Sequence, residues 1–344
     1  MAEQRAADLL RVWDNPRPSE VAHDALSFLR QLGGPTCITI AGERDGPPRV
    51  LSTLLHGNEP SGTIALQRFL REGVRPRVPL VAAVLSVEAA LSDEPFSHRS
   101  RPGGEDLNRC FVAPWAGAEG ARARALMERV RMLRPEAVVD LHNTSGRGPA
   151  YAVCTRVDAR HQALTALFAE RIIHTDLRLN TFMEAVEELA PTVTIECGGA
   201  RDPDAHERAY HGMCRYARAE QVLARPADAS PLQVLMHPHR VELAPGARIR
   251  YAREPDPEAD VTLPPDVDRH NFGVMRTGTP IGWLGARGLS ALQVMGAHGR
   301  EPVELYFRRE GDQLFPARDL EPLMATTDEA IASSDCLFYL IPFG

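Results

Sequence analysis

A histidine and a glutamate stand three residues apart directly after an apolar run. Residues 51–55 are followed by HGNEPSG, which contains His56 and Glu59. If the run is a buried strand, both side chains lie at its carboxyl end, the edge where ligands gather in open α/β sheets. Imidazole nitrogen and carboxylate oxygen are donors that zinc accepts. The pair is therefore a candidate half of a zinc site, although the same spacing also occurs in ordinary polar turns.

A second strand end carries DLHNTSG after the apolar residues 137–139. His142 could supply a third ligand, and a catalytic zinc commonly takes three protein ligands and leaves the fourth position to water. Asp140 lies two residues earlier, so on an extended backbone its side chain points the same way and can hold the imidazole. The alternative is a core histidine beside a strand-end aspartate.

A third strand end, PTVTIECGG, delivers Glu196 next to Gly198 and Gly199, which allow a sharp turn. A carboxylate at this position is costly unless it has a partner or a task. It would suit the general base that a zinc-bound water requires. Cys197 alternates to the opposite face, where we expect a packed thiol.

The segment 101–111, RPGGEDLNRCF, completes a set of four motifs. H-G-N-E, D-L-N-R with an upstream arginine, D-L-H-N-T and an I-E-x-G strand end, in this order, resemble the succinylglutamate desuccinylase/aspartoacylase family of the zinc carboxypeptidase superfamily. The motifs extend from about residue 50 to residue 199. The resemblance implies one zinc ion per chain, with His56, Glu59 and His142 as its ligands.

The resemblance also implies roles for the other motif residues. Glu196 activates the zinc-bound water and passes its proton to the leaving amine. Arg101, eight residues before Arg109, polarises the scissile carbonyl, with Arg99 as the alternative. Asn108 and Arg109 grip a substrate carboxylate, for which a planar guanidinium is well suited. Asp106 is expected to brace this loop rather than to touch substrate.

The chain departs from aspartoacylases in the segment before Glu196. Those enzymes have an arginine about ten residues before the catalytic glutamate, and here residues 182–195 contain none. The three glutamates of this segment would disfavour a second substrate carboxylate, unless they lie on the surface; they are Glu184, Glu187 and Glu188. We therefore expect N-acetylaspartate to be a poor substrate, unless an arginine from elsewhere fills the position; the candidates are Arg178, Arg201 and Arg318.

These residues predict a zinc-dependent hydrolase that cleaves the amide bond of an N-acyl amino acid or a related small amide. A zinc carboxypeptidase acting on peptides is one alternative, and a non-catalytic binding protein that retains its metal is another. Glu196 argues against the last, because a metal binder has no use for a base beside the ion. The sequence leaves homo-oligomer formation open.

The surrounding elements predict the fold that positions these residues. Apolar runs alternate with helical segments from about residue 35 to 225, as in an α/β domain with a largely parallel sheet. Strands are expected at 36–41, 50–55, 80–86, 137–141, 150–154 and 192–196, and helices at 61–71, 122–133, 158–171 and 204–223. From about residue 231, Pro- and Gly-punctuated short runs indicate β-structure. With the resemblance, this predicts a zinc-carboxypeptidase-like α/β/α domain with a central mixed sheet over residues 1–228 and a smaller β-rich domain over 229–344.

The amino-acid composition excludes several other functional classes of protein. All 39 basic residues are arginine, which excludes P-loops, pyridoxal enzymes, Schiff-base aldolases and Ser-Lys dyads. A net charge of −7 makes nucleic acid an improbable partner. The longest apolar stretch, residues 78–87, is about half of a membrane span, so no membrane partner is expected. Six scattered cysteines and the absence of a signal-like N-terminus predict a cytoplasmic protein. His237 and His239 in MHPHR, without a third ligand nearby, are expected to be structural.

Overall fold

The computed structural model describes residues 9–225 and 229–341. It divides into two compact units. The first contains the chain up to Asn143 together with Ala150–Ile172 and Arg178–Val234, and the second contains Thr144–Pro149, Ile173–Leu177 and the chain from Leu235 onward. The sequence-based boundary between residues 228 and 229 stays a prediction.

The larger sheet has nine strands and is mixed, with largely parallel strands. In chain order they are β1 (Arg11–Asp14), β2 (Thr36–Ile40), β3 (Arg49–Thr53), β4 (Leu80–Val84), β5 (Val138–Thr144), β6 (Tyr151–Cys154), β7 (Arg171–His174), β8 (Thr192–Gly199) and β9 (Gln233–Met236). Their order across the sheet is β1-β2-β4-β3-β5-β8-β6-β7-β9. Strand β3 pairs in parallel with both β4 and β5, whereas β2–β4 and β6–β8 are antiparallel pairs. This confirms the predicted class of sheet.

Successive residues of the central strands enter two different cores, because side chains alternate across a sheet. Leu51 and Val139 pack on one face, while Val50 and Val138 pack on the other. The strands therefore read as continuous apolar runs, as expected for a sheet that is covered on both faces. Tyr216 belongs to the first core and hydrogen-bonds through its hydroxyl to Val50 and Ala137 carbonyls.

Helices cover these two faces. In chain order they are α1 (Ala25–Leu32), α2 (Ser61–Arg71), α3 (Val87–Ala90), α4 (Gly117–Leu133), α5 (Ala159–Ala166), α6 (Phe182–Val186) and α7 (Pro203–Arg218). Capping explains where several of them begin. Asp24, Asp158, Thr181 and Asp202 each accept a backbone N–H of the first turn through the side chain. Within the described residues, no helix is both long and apolar enough to cross a membrane.

The predicted elements of the α/β region are present, but two of the expected helices end early, and the one expected over 204–223 ends at Arg218. The helix expected over 158–171 ends at Ala166, and the chain then enters strand β7. Two consecutive β-branched residues, Ile172 and Ile173, are buried in this strand. The difference matters below because β7 carries a histidine at its end.

The second unit is built mainly of β-structure, as predicted. Its strands are β10 (His239–Leu243), β11 (Ile249–Tyr251), β12 (Val261–Leu263), β13 (Gly282–Leu284), β14 (Leu292–Gly296), β15 (Gly299–Glu301), β16 (Phe307–Glu310), β17 (Gln313–Pro316), β18 (Glu321–Leu323) and β19 (Phe338–Ile341), with helix α8 at Glu329–Ser334. They form two five-stranded sheets, ordered β15-β14-β10-β19-β18 and β11-β12-β13-β17-β16. A separate apolar core, which includes Phe307 and Phe338, stabilises this unit.

Candidate metal centre

The carboxyl ends of β3 and β5 bring three predicted ligands together. The two strands are in parallel register, with Thr53 opposite Leu141, so the residues that follow emerge at the same edge of the sheet. After β3 the backbone turns sharply at Leu54, a buried residue with φ of 59°. A non-glycine residue in this conformation is strained, and such strain is common where the fold must aim a functional side chain. The turn directs His56 toward His142.

Helix α2 packs very closely on these strands. A Cβ atom added at Gly62 would lie 2.2 Å from Thr53 Oγ1 and 2.9 Å from Leu141 Cβ, so only glycine fits there. This close approach places the turn containing Glu59 directly above the strand ends.

The side chains of His56, Glu59 and His142 form one compact cluster, the metal-ligand group. Glu59 Oε1 lies 2.8 Å from His56 Nδ1, and Glu59 Oε2 lies 2.7 Å from His142 Nδ1. One donor atom from each residue falls within 4.8 Å of the other two. All three residues are buried. A His-Glu-His group of this kind supplies the nitrogen and oxygen donors of a catalytic zinc site and leaves a fourth position open.

Each histidine is held from its other ring nitrogen by an aspartate. His142 Nε2 hydrogen-bonds to Asp140 Oδ2 at 2.8 Å, and Asp140 Oδ1 accepts from Ser52 Oγ at 2.6 Å. His56 Nε2 hydrogen-bonds to Asp106 Oδ1 at 3.0 Å. Metal-binding histidines are usually oriented by such a carboxylate, which leaves the Nδ1 lone pair for the ion. The predicted contact between Asp140 and the His142 imidazole is therefore confirmed, and Asp106 holds His56 as well as bracing its own loop.

The charges of the three buried side chains and of their aspartate partners shift one another's pKa values. Burial lowers the pKa of His142, but Asp140 and Glu59 outweigh it and raise this pKa well above its ordinary value. The pKa of His56 is also raised, since Glu59 and Asp106 overcome burial and the repulsion of Arg99. Burial opposes ionisation of Glu59, yet the two imidazoles hold its pKa below the usual range. A bound cation would replace protons on the two imidazoles.

Glu196 lies on β8, opposite Tyr151 of β6, and is buried. Burial raises its pKa to about 7, while the charges of His142 and His56 act in the opposite direction. Its Oε2 atom is buried and has no hydrogen-bond partner within the described part of the chain. The strand continues through Gly198, which has a φ of 111°, and ends at Gly199, so the turn comes at residues 200–201, just after the two glycines where it was expected. The carboxyl group is thus close enough to His142, Glu59 and His56 for their charges to act on its pKa.

Asn143 is a site residue to which the sequence analysis gave no role. Its amide nitrogen donates to Ser61 Oγ at 2.7 Å and to the Gly198 carbonyl at 2.8 Å. Its amide oxygen accepts from the Ser61 backbone at 3.0 Å, and its own N–H donates to Glu59 Oε2 at 3.2 Å. Asn143 therefore ties the start of α2 and the end of β8 to the metal-ligand group. Its position next to His142 in DLHNT was the only signal in the sequence.

The two arginines considered for the scissile carbonyl lie in different surroundings. Arg99 contacts the metal-ligand group: its Nη1 lies 3.6 Å from Glu59 Oε1, and its Nε donates to Asp106 Oδ2 at 3.0 Å. Arg101 instead forms an ion pair with Glu119 of α4, with Nη2 and Oε1 2.7 Å apart.

The residues expected to grip a carboxylate follow Asp106 in a short 3₁₀ turn, Leu107–Arg109. The buried Asn108 accepts the Phe182 backbone N–H at 2.9 Å through its amide oxygen, which fixes the side chain against the start of α6. Arg109 Nη1 donates to the Asn108 carbonyl at 3.0 Å and lies 4.0 Å from Asp106 Oδ2. These two side chains are thus positioned by the same loop that holds His56.

Comparison with known proteins decides the family. The family model for the succinylglutamate desuccinylase/aspartoacylase catalytic domain matches residues 45–218, just over half of the chain. The chain belongs to this family. No curated protein matches the sequence significantly. The buried His56, Glu59 and His142 fit the metal site typical of the desuccinylase/aspartoacylase family.

Solved structures of the family share the fold at low sequence identity. The succinylglutamate desuccinylase/aspartoacylase from Rhodobacter sphaeroides is 16% identical with a TM-score of 0.56, and the match covers 88% of this chain and 87% of that one. The product-bound ectoine utilization protein EutE from Ruegeria pomeroyi is 16% identical, with a TM-score of 0.55 and the same coverage. The succinylglutamate desuccinylase from Chromobacterium violaceum is 15% identical, with a TM-score of 0.54 over 88% and 87% of the two chains.

The glutamates that set this chain apart from aspartoacylases are engaged by neighbouring groups. Glu184 accepts the Leu179 backbone N–H at 2.9 Å, and the buried Glu187 lies 3.0 Å from His161 Nε2. Glu188 pairs with Arg156. Their charge is therefore partly compensated, and the repulsion expected from the sequence is weaker than three free carboxylates would give.

A cavity of about 340 Å³ lies beside this segment. Its walls include all three glutamates, Phe111 and Arg178. Of the three arginines considered as replacements for the missing aspartoacylase arginine, Arg178 is the one that lines this cavity.

Proposed function

We propose that the protein is a zinc-dependent deacylase that hydrolyses the amide bond of an N-acyl amino acid or a related small amide. The observation that carries the proposal is the buried Glu196 carboxyl beside the His-Glu-His group, with one oxygen that has no hydrogen-bond partner among the described residues. Membership of a family of deacylases supports the same reaction.

His56, Glu59 and His142 would hold the ion through Nδ1 of each imidazole and the Glu59 carboxylate. Zinc in such a site lowers the pKa of water and polarises a carbonyl oxygen. Asp140 and Asp106 keep both rings in the orientation that presents Nδ1. Glu196 interacts electrostatically with His142, Glu59 and His56, so its carboxyl group lies close to the residues that would hold the ion.

Glu196 would accept a proton from the attacking water and deliver it to the nitrogen of the leaving amine. A general base works best when its pKa lies near the working pH, and burial brings the pKa of this carboxyl to about 7. The same carboxyl can therefore give up the proton in the next step. Net hydrolysis consumes one water and releases the carboxylic acid and the free amine.

Two arginines are candidates to stabilise the negative charge that develops on the carbonyl oxygen. The family resemblance favours Arg101, whereas the 3.6 Å approach to Glu59 favours Arg99. Loss of one donor of this kind typically lowers kcat by about 10²–10³. The variants Arg99→Ala and Arg101→Ala, assayed side by side, identify the residue by which of them shows this loss.

Asn108 and Arg109 are proposed to bind a carboxylate of the substrate. Arg109 can form a bidentate contact, and the Asn108 amide nitrogen can donate to the same group. This contact suits the α-carboxylate of an N-acyl amino acid. A peptidase that trims long chains is the second candidate in the same superfamily, and a metal-retaining binding protein is the third; Glu196 favours an enzyme over the latter.

The experiment that tests the proposal is a metal analysis of the purified protein followed by a hydrolysis screen. The screen uses N-acyl amino acids with acidic, neutral and basic side chains, and C-terminally free peptides as the competing class. Zinc-dependent release of free amino acid, abolished by a chelator and restored by zinc, supports the proposal. Faster turnover of peptides than of any N-acyl amino acid would contradict it.

A further inference from the structure

A second cluster of metal-binding side chains lies in the second unit. His174 ends strand β7, Asp176 follows two residues later, and His237 comes directly after β9. The two strands are neighbours in the sheet, and the His237 backbone N–H donates to the His174 carbonyl at 3.1 Å. All three residues belong to the second unit. Asp176 and His237 are 61 residues apart in the sequence, and the pairing of β7 with β9 brings them together.

The Asp176 carboxylate lies between the two imidazoles. Its Oδ2 hydrogen-bonds to His237 Nδ1, and its Oδ1 lies 3.8 Å from His174 Nδ1. The two rings stand nearly perpendicular, at 85°, with centroids 5.6 Å apart. One donor atom of each residue lies within 4.8 Å of the other two. Both imidazoles therefore face the same carboxylate.

The donor set is the chemical equivalent of the one at the first site, two imidazoles and one carboxylate. Donor atoms bound to a tetrahedral zinc at its usual distances are about 3.3 Å apart, so small side-chain rotations would bring this group onto an ion. The carboxylate would offset part of the charge of the ion. The side chains of His174, Asp176 and His237 are 18%, 33% and 56% exposed, so an ion can enter from solvent and complete its coordination with water.

We propose that His174, Asp176 and His237 form a second metal site, which binds a divalent transition ion such as Zn²⁺ at the carboxyl-end side of β7. The ion joins the segment that follows β7 to the segment that follows β9. The inference is independent of the proposed deacylase activity, because none of these residues belongs to the His56, Glu59 and His142 group.

The expectation for MHPHR changes accordingly. Both histidines were expected to be structural, but His237 has a φ of 56° and lies outside the regular strands, between β9 and β10. His239 interacts instead with the Tyr306 hydroxyl. The two partners that His237 lacks nearby in the sequence, His174 and Asp176, come from the end of β7 and the segment after it.

The test is a zinc titration of the full-length protein whose first site has been loaded with zinc. Isothermal titration calorimetry with zinc chloride, together with the zinc content of the washed protein, gives the stoichiometry. His237→Ala and the nearly isosteric Asp176→Asn are the test variants. His211→Ala is the matched control, since His211 is an exposed histidine that pairs with Glu207 and lies outside both groups.

We expect a second equivalent of zinc in the parent and in His211→Ala. Each test variant should bind it at least about tenfold more weakly, since loss of a partner of a ligand already costs 10–100-fold. Circular dichroism verifies folding, and Asp176→Asn keeps the test valid if His237→Ala misfolds. Binding of only one equivalent by the parent at saturating zinc would overturn the proposal. Binding of the second equivalent by a folded Asp176→Asn protein with parental affinity would overturn it too.

Discussion

The two His-carboxylate-His groups of this chain use the same donors in different environments. In the first, His56 and His142 are buried, each is backed by an aspartate, and a buried carboxyl group lies beside them. In the second, His237 is more than half exposed and shares one carboxylate with His174. The donor set alone therefore does not decide what a site does.

Burial and the surrounding carboxylates account for the difference. A buried group holds its ligands rigidly and excludes bulk water, so a base such as Glu196 can be kept at a pKa near 7. An exposed group is screened and mobile, and an ion bound there can cross-link segments but meets no positioned base among the residues given above. We assign chemistry to the first group and stabilisation of local structure to the second.

The largest expected effect is the loss of turnover when the base beside the first group is removed, since the second group has no such base. Glu196→Gln should lower kcat by about 10²–10⁴ while zinc stays bound at both sites, because the amide keeps the shape of the side chain but cannot accept a proton. Steady-state kinetics with parallel metal analysis measure this. Glu207→Gln is the matched control, an exposed glutamate that pairs with Arg68. A Glu196→Gln enzyme within a few-fold of the parent removes Glu196 from the mechanism.

A second prediction concerns selectivity, which only a catalytic site needs. N-acetylaspartate should be a poor substrate, with kcat/KM roughly 100-fold below that of the best neutral or basic N-acetyl amino acid, because the second arginine clamp is missing. Competition between the three classes of substrate measures the ratio. A hundredfold preference for aspartate would reverse this conclusion, and Arg178→Ala would then show whether the arginine beside the cavity replaces the clamp.

A third prediction tests whether Asp140 affects zinc affinity at the first group only. Asp140→Asn should weaken zinc binding there by about 10–100-fold, since the amide no longer fixes the charge and orientation of His142. Zinc affinity at the second group should not change. Titration against a competing chelator gives both affinities in one experiment. Equal weakening at both groups would indicate general destabilisation instead.

The smallest expected effect is on the stability of the metal-free protein. Because burial raises the pKa of Glu196 from 4.5 to about 7, the folded state retains a proton that the unfolded state loses in this range, and stability falls as pH rises from about 4.5 to 7. Glu196→Gln removes this penalty. The variant should exceed the parent by roughly 1–3 kcal/mol at pH 8 and match it near pH 4. Urea unfolding with a chelator present measures the difference, and equal stability at pH 8 would refute the shift.

Much of the first group could be predicted from the sequence because it uses local signals. Apolar runs predicted β3, β5 and β8, and each ligand or base lies in the carboxyl-terminal part of one of these strands or in the turn that follows it. The parallel pairing of such strands gathers their carboxyl ends at one edge. The order of these strands in the sheet therefore brings together His56, His142 and Glu196.

What the sequence did not predict depends on contacts between distant residues. Arg99 and Arg101 lie in different surroundings because Arg99 contacts Asp106 and Arg101 contacts Glu119 of α4. The spacing of residues in the sequence does not predict either contact. The second group was missed because neither β7 nor β9 was predicted as a strand, so nothing in the sequence placed His174 and Asp176 beside His237.

The central claim is that His56, Glu59 and His142 hold the zinc on which hydrolysis depends. The most direct test measures zinc content and deacylase activity in a His237→Ala background, where the first group is the metal site that remains. This background protein should hold one zinc per chain and stay active. Adding His142→Ala should leave no stoichiometric zinc and no measurable turnover. A folded double variant that keeps one zinc per chain, or that still hydrolyses substrate at the parental rate, would contradict the claim.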